Sequence, residues 1–170
     1  MKNKNHHRWI HRLPIFMTGV ALSLIVANPG ICEVTAKAKD DTVTQTIETL
    51  KQSDQRWIQI NLSKQRLIAW EGKTPIYAIV ISTGKKSTPT RIGSFKIQSK
   101  HKSARMRGRN YDVPDVPYTM YYKGGYGIHG AYWHNKFGTP VSHGCINVAP
   151  NHAKWLFNWA SIGTSVFIHK

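Results

Sequence analysis

The sequence predicts a small, mainly β protein with one folded domain, and three features indicate this. The chain has 170 residues, which leaves room for one domain beside an N-terminal targeting segment. Its 13 glycines and 8 prolines are spread along the sequence and separate short apolar stretches. Apolar residues at helical spacing are scarce outside one segment near the C-terminus. We therefore expect mostly strands, with one or two short helices.

The first 36 residues are typical of a secretory signal peptide. Four basic residues precede an apolar run over residues 13–27, and small residues follow it. We expect export, with cleavage near residue 36. The alternative is an uncleaved anchor formed by residues 13–27. That run contains Pro14 and Gly19 and is shorter than the roughly 20 residues that a membrane-spanning helix needs.

The chain is strongly basic, with 24 Lys and Arg against 8 Asp and Glu and a formal net charge of +16. Only four of those cations lie in residues 1–36, so the basicity belongs to the mature domain. Such a charge favours an anionic partner but does not choose between nucleic acid, a membrane surface and a charged polymer. Because export weighs against nucleic acid, we expect no nucleic-acid partner.

The first half of the chain predicts a linker followed by strands. Residues 37–55 are polar and predict a linker with a short helix at most. Residues 56–62 alternate apolar and polar side chains, and residues 65–70 follow them after a short turn, which indicates a hairpin with one buried face. Residues 74–83 are β-branched and nearly all apolar, which predicts a strand covered on both faces.

The middle of the chain combines a turn, a strand and a run of cations. Residues 87–93 are rich in turn formers, and a strand is predicted over residues 94–100. The stretch from Lys100 to Arg109 carries five cations and predicts an exposed loop. Its plain interpretation is a solvated charged surface. The alternative is that it binds an anionic polymer or a membrane surface.

The second half predicts strands around one helix. Residues 113–117 contain two prolines and should be rigid and extended. Strands follow over residues 118–122 and 126–130, on either side of a tight glycine turn. Residues 150–160 place apolar side chains at helical spacing after a proline, which predicts a helix packed on the sheets. Residues 165–169 predict a last strand.

Cysteine usage raises the main chemical question. The chain has Cys32 and Cys145, and cleavage near residue 36 would remove the first. A lone thiol in an oxidising envelope is either buried and inert or reactive. His129 and His143 are candidates for the base that a thiol nucleophile requires. The residues alone leave a catalytic thiol and a buried structural turn equally open.

The spacing of these residues permits a catalytic arrangement. The loop over residues 131–141 is long enough to bring two strand ends together, so that His129 can face Cys145. Gly144 lets the backbone approach a substrate, and peptide N–H groups around Gly144 and Cys145 could hold an oxyanion. A metal site formed by His129, His143 and Cys145, with His134 as a further candidate ligand, is the other interpretation, and we do not favour it because closely paired ligands are lacking.

These residues also form a pattern that resembles a known family, the L,D-transpeptidase or YkuD-like catalytic domain of bacterial cell-wall enzymes. The resemblance extends over residues 56–170. Its strongest part is a histidine tripeptide followed, after a short loop, by the segment around the cysteine: Ile128-His129-Gly130 and Ser142-His143-Gly144-Cys145-Ile146-Asn147. Thr88-Pro89 before Gly93-Ser94-Phe95 matches a further family element with one extra residue.

The resemblance implies a fold of two packed, largely antiparallel sheets with one or two helices, and an active site in a groove along strand ends. Together with the N-terminal pattern, it divides the chain into a signal peptide or anchor (1–36), a linker (37–55) and a catalytic domain (56–170). It implies that Cys145 is the nucleophile and His129 its base, with the Gly130 carbonyl orienting the imidazole ring.

Further site residues follow from the same resemblance. His143 and Gly144 are expected to line the site and help to form the oxyanion hole, while Ser142 and Asn147 shape the loop around the cysteine. Tyr118 and Met120 are expected to form part of a lid over the substrate.

The implied reaction belongs to peptidoglycan biosynthesis and cell shape, in the periplasm or cell wall. The thiol attacks a stem peptide, releases D-alanine and leaves a thioester, which an acceptor amine resolves into a cross-link. No metal or organic cofactor is expected, and the protein is expected to be a monomer. Two other functions stay open: a carboxypeptidase in which water resolves the thioester, and a non-catalytic basic module that binds the cell wall.

Overall fold

The computed structural model describes the backbone of residues 29–170 and the side chains of residues 41–170. Within these ranges it contains two helices and nine strands: α1 (Pro29–Gln52), β1 (Arg56–Asn61), β2 (Arg66–Glu71), β3 (Thr74–Val80), β4 (Gly93–Lys96), β5 (Ser99–Gly108), β6 (Tyr111–Lys123), β7 (Tyr126–Gly130), β8 (Ile146–Val148), α2 (Pro150–Trp159) and β9 (Ser165–His169).

The N-terminal predictions are only partly covered by this description. The apolar run over residues 13–27 and most of the predicted signal peptide lie outside the described residues. Most of the predicted linker, residues 37–55, is helical and belongs to α1. Neither of the two helices in the described part of the chain is long and apolar enough to cross a membrane.

The strands form two sheets that enclose one core. The five-stranded sheet has the order β3-β2-β1-β9-β4, and the four-stranded sheet has the order β5-β6-β7-β8. Most neighbours are antiparallel, but β1 pairs with β9 in parallel and so does β7 with β8. Buried side chains of both sheets meet in one cluster that includes Ile58, Leu67, Met120, Ile128 and Ile146. The predicted mainly β fold is confirmed.

The opening hairpin follows the predicted alternation. Ile58 and Ile60 are fully buried, and β1 pairs with β2 over six residues. Trp57, on the other face of β1, is also fully buried and stacks on Trp70 with 5.1 Å between ring centroids. Apolar area is therefore removed from water on both sides of this hairpin.

The prediction that residues 74–83 form a strand covered on both faces is wrong. β3 ends at Val80 and lies at the edge of its sheet, where Ile76 is 40% and Val80 is 48% exposed. Of its apolar side chains, Ile79 is buried, and Ile81 is buried just beyond the strand. β-branched composition favours a strand but does not specify its neighbours, and it is the neighbours that decide burial.

The predictions for residues 94–109 also need correction. The strand expected over residues 94–100 is divided: β4 belongs to the five-stranded sheet, whereas β5 belongs to the other. Between them, the N–H of Ile97 donates to Thr164 and the N–H of Gln98 donates to Tyr121, so the chain changes sheets there. The stretch from Lys100 to Arg109 is mostly strand rather than loop, because non-local pairing with β6 satisfies its backbone.

The predicted helix over residues 150–160 is confirmed as α2. Proline stands in its first turn, Ala153 and Leu156 are buried, and the helix packs on β6 and β7. The ammonium of Lys100 donates to the carbonyl oxygens of Phe157 (2.6 Å) and Ala160 at its C-terminal end. This cation therefore stabilises the negative end of the helix dipole.

Candidate active site

Parallel pairing of β7 with β8 brings the two key segments together. His129 is the register partner of Asn147, and Cys145 lies immediately before β8. Side chains alternate along extended backbone, so Cys145 and Asn147, two residues apart, are expected on the same side of the chain. The thiol and the imidazole thereby reach one cavity.

The cavity has a volume of about 460 Å³ and lies between the β5–β6 hairpin and the loop that connects β7 to β8. Its walls contain six of the residues singled out from the sequence together with six others: His129, His134, Ser142, His143, Cys145 and Asn147, with Met106, Tyr111, Val113, Trp133, Lys136 and Val141. Hydrophobic walls around a few polar groups are typical of a ligand site.

His129 is buried and held in one tautomer. Its Nδ1 lies 3.0 Å from the carbonyl oxygen of Gly130, so Nδ1 carries the hydrogen and donates it. Nε2 then keeps its lone pair and can accept a proton. Burial lowers the pKa of His129 to about 4, an effect that His134 reinforces and the Gly130 bond opposes. The imidazole is therefore neutral near neutral pH, as a general base must be.

Cys145 is half-buried, and its thiol has two backbone neighbours. Burial raises the pKa of the thiol, while the backbone of Gly127 acts to lower it. Sγ lies 3.5 Å from the carbonyl oxygen of Gly125, a contact in which the thiol donates. The resting state is thus a neutral thiol beside a neutral imidazole, so attack on a substrate requires transfer of the thiol proton.

The turn from Ser142 to Cys145 is fixed from within. The hydroxyl of Ser142 donates to the carbonyl oxygen of Cys145 at 2.5 Å and accepts from the N–H of Gly144 at 3.1 Å. Gly144 has φ +112°, and a Cβ there would lie 2.6 Å from the ring of Tyr126, so only glycine fits. The Gly144 N–H is engaged, whereas the Cys145 N–H has no hydrogen-bond partner among the described residues.

The threonine-rich turn before β4 is hydrogen-bonded to the turn from Ser142 to Cys145. The hydroxyl of Thr88 donates to the carbonyl oxygen of Ser142 at 3.0 Å, and that of Thr90 donates to Gly144 at 2.9 Å. The N–H of Gly84 donates to the Thr90 oxygen at 2.8 Å. A Cβ at Gly84 would lie 2.2 Å from the oxygen of Thr88. The turn therefore positions the backbone next to the cysteine.

The structure separates the predicted site residues into three groups. Cys145, His129, His143, Ser142 and Asn147 line the cavity, whereas Gly130 and Gly144 lie behind it as backbone supports. Met120 is fully buried in the core, and Tyr118 packs on Phe157 of α2, so neither forms the expected lid. The sequence pattern could not show which face of β6 turns inward, because β-bulges interrupt its pairing.

Several other residues that line the cavity were not identified from the sequence. Met106, Tyr111 and Val113 reach it from the β5–β6 hairpin, and the Tyr111 ring lies 4.8 Å from the His143 ring. Trp133 reaches it from the loop after β7, with its ring 5.8 Å from that of His129. The sequence feature that could have indicated Trp133 is its position, because it is an aromatic residue four positions after His129. The hairpin residues had no such feature: Met106 lay in a stretch predicted as a loop, Val113 in a rigid extended stretch, and Tyr111 in no predicted element.

The metal interpretation gains no support from the geometry. In the part of the chain that the structure describes, no three His, Cys, Asp or Glu side chains converge closely enough to hold an ion. His134 instead bonds to Asn147 and to the backbone of Lys136.

Comparison with known proteins gives consistent matches. The family model described as the L,D-transpeptidase catalytic domain, YkuD, matches residues 55–168. L,D-transpeptidase 1 of Mycobacterium tuberculosis H37Rv is 36% identical over 97 residues, which is 50% of this chain and 39% of that protein. The chain therefore spans less than half of this curated relative.

Two solved structures share the fold. The catalytic domain of the Enterococcus faecium L,D-transpeptidase has 30% sequence identity and a TM-score of 0.62, covering 69% of this chain and 98% of that domain. The LD-transpeptidase LdtMt1 in complex with imipenem has 27% identity and a TM-score of 0.63, covering 67% and 58% of the two chains.

Proposed function

The chain belongs to the YkuD family of L,D-transpeptidase catalytic domains, and we propose on that premise that it is a cysteine L,D-transpeptidase of peptidoglycan. The observation that carries this proposal is the cavity shared by a neutral imidazole, fixed through its Nδ1, and a thiol. Cys145 is the nucleophile, His129 is the general base, and the Gly130 carbonyl orients the ring.

The first half of the reaction forms a thioester. Sγ of Cys145 attacks the carbonyl carbon between a diamino acid and a terminal D-alanine, and its proton passes to Nε2 of His129. The Cys145 N–H stabilises the oxyanion that develops on the carbonyl oxygen. The tetrahedral intermediate collapses as the C–N bond breaks, and His129 returns the proton to the departing amine of D-alanine.

The second half transfers the acyl group. An amine on a neighbouring stem attacks the thioester carbonyl while His129 accepts its proton. The C–S bond then breaks, the new amide is the cross-link, and the proton returns to Cys145. The same site with water as the acceptor would release a shortened peptide, so the acceptor decides between transpeptidation and hydrolysis.

Mass spectrometry of the full chain with a tetrapeptide-stem muropeptide tests this function. We expect loss of D-alanine together with a new dimer, and covalent labelling of the wild-type protein by imipenem, the ligand of a structural relative. Cys145→Ala and His129→Ala should abolish both reactions. D-alanine loss without a dimer would identify a carboxypeptidase. If neither compound acylates Cys145, the transpeptidase proposal is refuted and the non-catalytic wall-binding module is the remaining function.

The cellular setting belongs to the same proposal. The charged-then-apolar N-terminus supports export to the periplasm or cell wall, with residues 13–27 as a signal or an anchor. The stem peptide is the proposed partner, and a monomer suffices because the residues assigned to the reaction all belong to one chain. Signal cleavage and the oligomeric state are measurable on the exported protein by N-terminal sequencing and light scattering.

We further propose that the β5–β6 hairpin binds anionic wall polymers. Arg105 forms a bidentate ion pair with Asp112, and Arg107 also contacts that carboxylate. Lys102 and Arg109 are exposed and have no ion pair with another described residue. Attraction to a polymer should depend mainly on these two cations and should weaken with salt.

A matched pair of double variants tests the hairpin. Lys102→Gln/Arg109→Gln should weaken binding to purified cell wall at low salt, whereas Lys64→Gln/Lys73→Gln removes the same charge from exposed positions on the other sheet and should have less effect. Equal binding by both variants at low and high salt would refute the polymer site.

A further inference from the structure

His134 and Asn147 form a hydrogen-bonded pair in the wall of the active-site cavity. Asn147 is 3% exposed and lies opposite His129 in the β7–β8 register. His134 is half-buried in the loop that follows β7. Nε2 of His134 lies 2.9 Å from the side-chain amide of Asn147, and the backbone N–H of Lys136 points at Nδ1 of His134 from 3.1 Å. Each ring nitrogen thus has one partner.

The Lys136 contact determines where His134 carries its hydrogen. A backbone N–H can only donate, so Nδ1 must accept and therefore bears no hydrogen. Burial, and secondarily the charge of Lys136, lower the pKa of His134. The ring is therefore neutral near neutral pH, and Nε2 carries the single N–H. This tautomer is the reverse of the one that Gly130 imposes on His129.

The tautomer in turn determines the orientation of Asn147. Nδ2 faces Nε2 of His134, but both nitrogens would be donors and could not bond to each other. The oxygen and nitrogen of a side-chain amide have nearly the same shape, so hydrogen-bond partners decide their assignment. A half-turn about the Cβ–Cγ bond brings Oδ1 to Nε2, whereas the Lys136 N–H cannot be reversed. Asn147 therefore accepts from His134 through Oδ1.

We propose that His134 locks Asn147 so that its NH₂ group faces the cavity and donates a hydrogen bond to a carbonyl oxygen of the bound peptide. The other end of the Asn147 amide, where Nδ2 lies after the half-turn, has no hydrogen-bond partner among the described residues. Asn147 lines the cavity beside Cys145 and His129. Asn147 is a substrate-binding residue and His134 is a positioning residue that acts through it. The peptide as ligand rests on the proposed function, whereas the orientation does not.

Nitrogen NMR of the full chain labelled at histidine tests the lock without turnover. We expect His134 at neutral pH to show a protonated Nε2 and an unprotonated Nδ1, and His129 to show the reverse. A proton on Nδ1 of His134 would overturn the proposal. Because this measurement needs no substrate, it separates failure of the lock from failure of the transpeptidase assignment.

A double-mutant cycle tests the positioning role. His134→Phe should lower kcat/KM for D-alanine release from a tetrapeptide stem by about 3-fold to 10-fold, the effect of one net hydrogen bond. His134→Gln, which keeps an N–H donor toward Asn147, should stay within about twofold of wild type. In an Asn147→Ala background, His134→Phe should cause no further loss. The same loss in both backgrounds, at unchanged Tm, would overturn the role through Asn147.

Discussion

The buried His129 should make the folded state sensitive to acid in a calculable way. In the fold its pKa is about 4, because burial disfavours the imidazolium, whereas an unfolded histidine titrates near 6.5. Between these values the unfolded chain binds more protons than the folded chain, so stability rises with pH. The contribution is fully present above about pH 6.5 and is lost as the pH falls towards 4. At 1.36 kcal/mol for each pKa unit, the loss is about 3 kcal/mol.

His129→Asn isolates this contribution. Asparagine keeps a side-chain N–H for the carbonyl oxygen of Gly130, the contact that Nδ1 makes at 3.0 Å, but it does not titrate. Urea unfolding of both proteins at pH 7, 5.5 and 4 gives their free energies of unfolding. We expect wild type to lose about 3 kcal/mol relative to the variant between pH 7 and 4. Effects of the carboxylates cancel in this difference, as do those of the histidines that do not interact with His129.

Two results would refute the reasoning. A relative loss below about 1 kcal/mol would mean that the folded pKa is close to its ordinary value and that the imidazole is hydrated. An acid limit of imipenem acylation near pH 6.5, rather than near pH 4, would mean that the pKa of His129 in the free enzyme is close to its ordinary value. Acylation that persists at pH 5 would agree with a neutral base.

Three further predictions concern the supports of the site. Thr90→Val removes the hydroxyl that accepts from Gly84 and donates to Gly144, so we expect about 1–3 kcal/mol of destabilisation by urea unfolding, and an unchanged midpoint would contradict it. Gly144→Ala places a Cβ 2.6 Å from the Tyr126 ring at φ +112° and should slow imipenem labelling more than tenfold, whereas wild-type labelling would contradict the strain. Lys100→Met removes the cation from the end of α2 and should lower Tm by an amount equivalent to about 1 kcal/mol; an equal Tm would contradict this capping role.

Local chemistry explains what could be predicted from the sequence. The alternation of Ile58 and Ile60 specified a strand with one apolar face, and Pro150 with apolar residues at helical spacing specified α2, because such patterns depend on neighbours along the chain. The histidine tripeptide and the segment around Cys145 carried the family resemblance. Their spacing also permitted two strand ends to meet, which the parallel pairing of β7 with β8 brings about.

Tertiary neighbours decided the rest. Residues 74–80 have the composition of a central strand, yet β3 is an edge strand because no further strand pairs with it in the described sheet. The stretch from Lys100 to Arg109 reads as a solvated loop, yet pairing with β6 makes it a strand and brings Met106 to the cavity. Sequence separation hides such pairings, since their hydrogen bonds join residues that no local pattern relates.

The sequence by itself determined that a thiol and an imidazole were available, and the family resemblance indicated their roles. Only the tertiary structure decided their protonation states. A carbonyl oxygen beside Nδ1 of His129 and an N–H beside Nδ1 of His134 impose opposite tautomers on two histidines five residues apart. The physical reason is that a hydrogen bond depends on which group faces which in space, and residue identity along the chain does not contain that information.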